Sequence, residues 1–344
     1  MNTPGVDTTQ LLSRPMYQLL RWLILFVLLG AALSLGGMVW SGWDEVTSAL
    51  VRLSWLLLVG AAFVASTAHV IRFVRWHVAL RCLGNSVPPG INFAIYLSGL
   101  ALTTSPGKLG ETVRSLFLLP MGVPLSKSLG AFLADRLSDV LGVCLLGAVA
   151  GLLVRCSLNF VGVVMGVVLG GSFALCHLVR SPLMFGRATA VASRWGFAPG
   201  RVVVEALGQW AQLWTLRNAA LFTLLAALAF GIQAAVFTVL CTGVSLSLQP
   251  ATAVEIFVNA TLLGAASMVP GGLGTMEASL VFQLMVQGAK KGDAVAIAIA
   301  TRCVTLWCGV LIGLISFAGV GLRMKPTKRM GSPLLCKGAD TSLK

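Results

Sequence analysis

The chain has 344 residues, of which 57% are hydrophobic and only 10% charged, and its mean hydropathy is +0.91. A soluble domain needs about a quarter charged residues to cover its surface, so a soluble fold is excluded. The formal net charge of +14 would point to nucleic acid in a soluble protein; here the basic residues sit between apolar runs, as in the positive cytoplasmic loops of membrane proteins.

Runs of 18 or more apolar residues recur along the chain, each long enough to cross about 30 Å of hydrocarbon. Backbone groups at that depth must be satisfied internally, so helices are the default. No stretch alternates with the period of an outer-membrane barrel. The fold class is therefore an all-α integral membrane protein.

Residues 1–20 form a short polar tail. Residues 23–40 are the first predicted span, with a run too long for a signal peptide and no small-residue cleavage site after it. Asp44 and Glu45 mark a loop. Residues 53–71 are the second span, followed by Arg72, Arg75 and Arg81 as a basic loop that ends at Pro88-Pro89. Residues 91–105 are apolar but too short to cross. They stop at Pro106-Gly107, and a second short run, 112–121, follows at once. Two half-length helices joined by Pro-Gly predict a re-entrant hairpin with its tip near mid-membrane.

Residues 128–154 are the third span and carry Asp135, Arg136 and Asp139. Residues 158–179 are the fourth, where Gly162, Gly166 and Gly170 have the spacing that lets helices approach closely. Residues 180–218, with five arginines among Trp195, Trp210 and Trp214, predict one or two amphipathic helices on the membrane surface. Residues 219–240 are the fifth span. A second broken segment follows: 255–268, then Pro270-Gly271-Gly272, then 278–286. Residues 294–320 are the sixth span, with Arg302 inside it, and a basic tail ends the sequence. The eight cysteines mostly lie in apolar runs without a CxxC pair or a histidine at ligand spacing, so they read as small core residues, with no metal site, disulfide framework or cofactor.

The two broken segments repeat each other. SPGKLGE (105–111) and VPGGLGTME (269–277) both read Pro-Gly-x-Leu-Gly and then Glu. From there a constant offset of 166 residues pairs Glu111 with Glu277, Gly122 with Gly288 and Arg136 with Arg302. The re-entrant breaks are Pro106, Gly107 and Gly110 in one copy and Pro270, Gly271, Gly272 and Gly274 in the other. Three full crossings separate the second span from the fifth. An odd number inverts the second copy, and inverted repeats with broken helices are a transporter plan. The domain layout is a cytoplasmic tail at 1–20, a membrane domain at 21–322 and a basic cytoplasmic tail at 323–344. Within it, repeat one covers about 53–155, repeat two about 219–322, and the amphipathic linker 180–218. With both termini inside, 17 Lys/Arg fall in cytoplasmic segments and 4 outside: Arg52, Arg155, Lys290 and Lys291. Lys108, Arg114, Arg136 and Arg302 lie at membrane depth.

An ionisable group at the bilayer centre costs about 2.5–3.5 kcal/mol on insertion scales, so those that persist carry a task. The candidate substrate-binding residues are Glu111, Arg114, Arg136, Asp139, Glu277 and Arg302. Each Glu sits just past a Pro-Gly break, where a half-helix N-terminus stabilises a carboxylate. Two readings of Glu111–Arg136 and Glu277–Arg302 stay open: structural ion pairs pinning hairpins to spans, or arginines that also grip a lipid phosphate bidentately. Asp135 and Asp139 are equally available as local partners for Arg136, an alternative that also stays open. No nucleotide loop, nucleophile–base set or metal cluster is visible, and no catalytic residue is assigned.

The order PGKLGE-TVR (106–114), ADRLSD (134–139), PGGLG-TME (270–277) and ATR (300–302) resembles the lysylphosphatidylglycerol synthase transmembrane-region family, often called flippase-like. The resemblance covers roughly residues 20–322. It implies a membrane domain that moves anionic or lipid-linked head groups between leaflets. In multiple peptide resistance factors such a domain precedes a soluble aminoacyl-transfer domain, which is expected to be absent here. Family members often have Glu before the arginine of the third span, where this chain has Asp135. The expected function is translocation of an anionic phospholipid or lipid-linked saccharide, without covalent chemistry, in the bacterial plasma (inner) membrane. The alternative is an accessory membrane subunit of a glycosyltransferase or lipid-modifying system. The expected partners are a membrane lipid or lipid-linked head group as substrate and a glycosyltransferase or lipid-biosynthesis enzyme, with no nucleic acid.

Overall fold

Helix α1 (Trp43–Arg52) begins with Asp44 and Glu45 in its first turn, where carboxylates meet the positive end of the helix dipole. The acidic pair thus starts a helix where the sequence predicts a loop. The computed structural model describes residues 42–105, 110–154, 159–194 and 198–323, with isolated positions 32, 36 and 39 before them. Every regular element among these residues is helical. Ser54 caps α2 (Trp55–Cys82), its hydroxyl accepting from the Leu57 N–H at 3.2 Å. This helix runs well past the apolar stretch that predicted it. Arg72 and Arg75, expected in a basic loop, are buried residues inside α2. His69 is also a buried residue of this helix.

Helix α3 (Pro89–Leu100) starts with proline at its first position, where the missing N–H is not needed. It gives way to turns over 101–105, earlier than the apolar run ends. Residues 106–109, which include Pro106 and Gly107, lie outside the described residues. The chain resumes through Gly110 into α4 (Val113–Leu118) and a 3-10 turn, Leu119–Met121. Then follow α5 (Leu125–Val154), α6 (Asn159–Arg180), α7 (Pro182–Arg194), α8 (Ala198–Leu213) and α9 (Leu216–Gly243). The second broken segment is α10 (Pro250–Ala266), a 3-10 turn at Pro270–Gly272, and α11 (Thr275–Val286). Gly271, Gly272 and Gly274 all have positive φ (63°, 64° and 82°), so this break needs residues without a Cβ. Last come α12 (Lys291–Arg302), a π turn at Cys303–Trp307, and α13 (Cys308–Arg323).

Five helices among the described residues are long and apolar enough to cross a membrane: Trp55–Cys82, Leu125–Leu153, Val161–Arg180, Leu216–Gly243 and Lys291–Gly321. They correspond to the second to sixth predicted spans. The first predicted span, 23–40, and both terminal tails fall outside the described residues apart from isolated positions.

Contacts at the helix ends orient the two broken segments. Lys127 Nζ donates to the Leu83 carbonyl at 2.8 Å, so α5 starts where α2 ends. A Cβ on Gly243 would fall 2.7 Å from Leu53 Cδ2, so α9 ends where α2 begins. Segment 89–121 therefore leaves from and returns to one end of α2, and segment 250–286 connects at the other. Arg52 pairs with Asp293, tying the end of α1 to the start of α12 at that second end.

Helix α5 is the hub, packed by α8, α9 and α10. On α8, Trp210 is fully buried, and Arg180 Nη2 donates to the Ala211 carbonyl at 2.9 Å, holding α8 to the end of α6. Helix α13 crosses the end of α3 so closely that a Cβ on Gly313 would collide with the Ala101 nitrogen. The glycine stripe of α6 does no such packing: a Cβ on Gly162, Gly166 or Gly170 would meet nothing within 4 Å. The expected helix–helix seam there is not present among the described residues, because α6 turns that face outward. Cys144, Cys176 and Cys241 are buried as expected, whereas Cys82 and Cys303 are exposed and Cys308 is half-buried.

Candidate functional site: a charged cavity between the two broken segments

The repeat noticed in the sequence recurs as paired local chemistry. Glu111 receives a hydrogen bond from Thr103 Oγ1 at 2.8 Å and pairs with Arg136 Nη2 at 3.3 Å. In the second copy, Glu277 Oε1 pairs with Arg302 Nε at 2.7 Å, and Ser267 Oγ lies 3.0 Å from Thr275 Oγ1. Gly122 and Gly288 close the two segments with matching φ of 81° and 87°. The copies also differ. Arg302 Nη2 donates to the Gly271 carbonyl, so it braces the break itself, whereas Arg136 shares itself between Glu111 and Asp139, the latter at 3.2 Å.

Between the two segments lies a cavity of about 410 Å³. Thr104 from the first and Gly271 from the second meet beside it: a Cβ on Gly271 would lie 3.4 Å from Thr104 Cα. Of the candidate residues, Glu111, Arg136, Asp139 and Arg302 line the cavity. The π turn after Arg302 adds Thr305 and Leu306 to the wall, as such turns often do at functional positions. The rest of the wall is largely apolar, including Leu100, Phe230 and Phe257. A mostly apolar cavity with a few convergent charges is the usual form of a small-ligand site.

Glu277 sits one residue behind the wall, as the counter-ion of Arg302. Arg114 is further back: 1% exposed, its guanidinium 3.6 Å above the Trp76 ring and paired with Asp135 at 3.0 Å. It supports the wall and does not line it. Asp135 faces Arg75 at 2.9 Å, not Arg136, and Arg75 also reaches Asp139 at 2.7 Å. Arg75, Arg114, Asp135, Asp139, Arg136 and Glu111 thus form one continuous network.

Two functional residues escaped the sequence reading. Arg75 is the centre of that network, and Arg72 lines the cavity with its guanidinium 4.5 Å over Phe230 and Nη2 donating to Gln233 Oε1 at 3.1 Å. The signal was available: His69, Arg72 and Trp76 recur at three- and four-residue spacing on one helix face. Among the described residues, no three His, Cys, Asp or Glu side chains gather as metal ligands would.

The sequence model described as the lysylphosphatidylglycerol synthase TM region matches residues 27–313. The chain belongs to this family. Its apolar spans agree with that membership, and the protein is an integral membrane protein. The chain is also similar to a UPF0104 membrane protein of Methanothermobacter thermautotrophicus, 24% identical over 324 residues covering 84% of this chain and 91% of that one. The family match embraces both broken segments, and all of the cavity-lining arginines named above lie within it.

Proposed function

We propose that this member of the lysylphosphatidylglycerol synthase TM region family translocates an anionic phospholipid or a lipid-linked saccharide between leaflets, without covalent chemistry. The observation that carries this reading is the cavity at the meeting point of two broken segments, with Arg72, Arg136 and Arg302 on its wall. The two segments are read as re-entrant hairpins of an inverted repeat within 21–322, opening to opposite faces of a six-span bundle with cytoplasmic termini in a plasma membrane. Attachment at opposite ends of α2 supports that reading.

The mechanism follows from the pairings. Arg136 is 22% exposed and holds two carboxylates at 3.2–3.3 Å, longer than a strong charge-assisted hydrogen bond. An arriving phosphate competes with them for the guanidinium, and the carboxylates take it back on release. Arg302 is held more tightly and braces the break, so it fixes the second tip while presenting charge to the same space. The apolar wall accepts the first carbons of the acyl chain. Reconstitution in liposomes with fluorescent phospholipids, read by one-sided chemical quenching, tests this. Faster equilibration between leaflets than in protein-free liposomes is expected. Equal rates for every anionic lipid and lipid-linked saccharide tried would favour an accessory role beside a glycosyltransferase.

A further inference from the structure

Among the described residues, the buried charges around the cavity do not balance. Arg75 is held by Asp135 and Asp139, Arg114 by Asp135, Arg136 by Glu111 and Asp139, and Arg302 by Glu277. Arg72 is 9% exposed and has no carboxylate partner among the described residues. Its side chain donates to the neutral amide of Gln233 and lies over the face of Phe230, and its Nε has no hydrogen-bond partner among the described residues. Arg136 Nε, on the same cavity wall, is likewise without an acceptor. Among the described residues around the cavity, five arginines meet four carboxylates, and Arg72 is the one left without a carboxylate.

A buried cation without a counter-ion is unfavourable, and an arriving anion relieves it. We infer that Arg72 is the anchor of the cavity and that it selects a head group with a single negative charge, a phosphodiester. One diester phosphate neutralises the excess. A phosphomonoester carries about −1.5 to −2 near neutral pH, and a pyrophosphate carries more still. Either would bring surplus negative charge beside Glu111 and Asp139. The planar guanidinium offers a diester two donors at once, Nε and an Nη, while Gln233 fixes its orientation. At about 410 Å³ the cavity has room for a head group and not for a whole lipid. This assignment rests on the reading of the cavity as a lipid head-group site. It leaves two sources of the same chemistry, a glycerophospholipid and a polyprenyl-phosphate sugar.

The test is binding, not transport. The purified full-length protein in detergent is titrated with short-chain phosphatidylglycerol, a short-chain polyprenyl-phosphate sugar, phosphatidic acid, a polyprenyl pyrophosphate and phosphatidylcholine, with bound lipid counted by native mass spectrometry. One of the two diesters should bind more tightly than the monoester, the pyrophosphate and the zwitterion, and which one binds identifies the source. Arg72→Gln should weaken diester binding about tenfold or more. Its melting temperature should stay near wild type, because no carboxylate loses a partner. Arg72→Lys keeps the charge and should retain the preference for the diester over phosphatidylcholine, which keeps the comparison readable if the neutral variant does not fold. Wild-type affinity for the diester in Arg72→Gln, tighter binding of the monoester or pyrophosphate by wild type, or loss of selectivity in a folded Arg72→Lys would each overturn the assignment. Loss of transport with diester binding intact would instead count against translocation alone.

Discussion

Thr104 and Gly271, far apart in sequence, touch where the two broken segments meet, and a Cβ on Gly271 would lie 3.6 Å from Thr104 Cβ. That spacing falls within the range of about 3.5–4.5 Å between the Cβ atoms of a disulfide. In a background without the native cysteines, Thr104→Cys with Gly271→Cys should cross-link under mild oxidation. The cross-link should stop lipid movement, and reduction should restore it. Failure to cross-link in folded protein would separate the two tips.

Arg75 is the most constrained of the charged residues, 1% exposed and bound to Asp135 and Asp139. Arg75→Ala should destabilise the protein by about 3–5 kcal/mol, since it leaves buried carboxylates short of a partner. The check is the melting temperature in detergent beside that of Arg72→Gln. A large drop for Arg75→Ala and a small one for Arg72→Gln is expected.

The repeat and the costly charges were legible in the sequence because both are local facts: Glu111–Arg136 and Glu277–Arg302 share one spacing and lie inside apolar runs. The pairs do form. What could not be read was which charges cross between helices. Arg72 and Arg75 follow an apolar run, where arginines normally mark the loop at a span end. Only contacts with Gln233 from α9 and Asp135 and Asp139 from α5 reveal that α2 continues through them. The sequence puts Arg114 at membrane depth but does not show that it packs on Trp76, for the same reason. The glycine stripe of α6 meets no partner among the described residues, since small residues permit close packing without requiring it. Helix α1 was missed although Asp44 and Glu45 are a first-turn signal.

Arg136→Lys and Arg302→Lys should part company. Lysine at 136 keeps the charge beside Glu111 and Asp139 but loses the planar fork, so transport should fall with a normal melting profile. Lysine at 302 also loses the brace to the Gly271 carbonyl, so both stability and transport should fall, the former by about 1–3 kcal/mol. Parallel loss of stability and transport in both variants would mark both ion pairs as structural.

The ion pair between Arg52 and Asp293 places α1 and the start of α12 on one face, and Lys127 on Leu83 places the end of α2 and the start of α5 on the other. Single cysteines at positions 44 and 287 should react with an impermeant reagent from outside intact cells, and those at 81 and 194 should not. Labelling at 81 or 194 from outside would overturn the proposed topology.

The most direct measurement of the central claim is leaflet exchange of a fluorescent anionic lipid in liposomes containing wild-type protein or Arg136→Lys at equal reconstituted amounts. Exchange well above protein-free liposomes is expected for wild type and close to that background for the folded variant. Exchange at the wild-type rate in Arg136→Lys would contradict it.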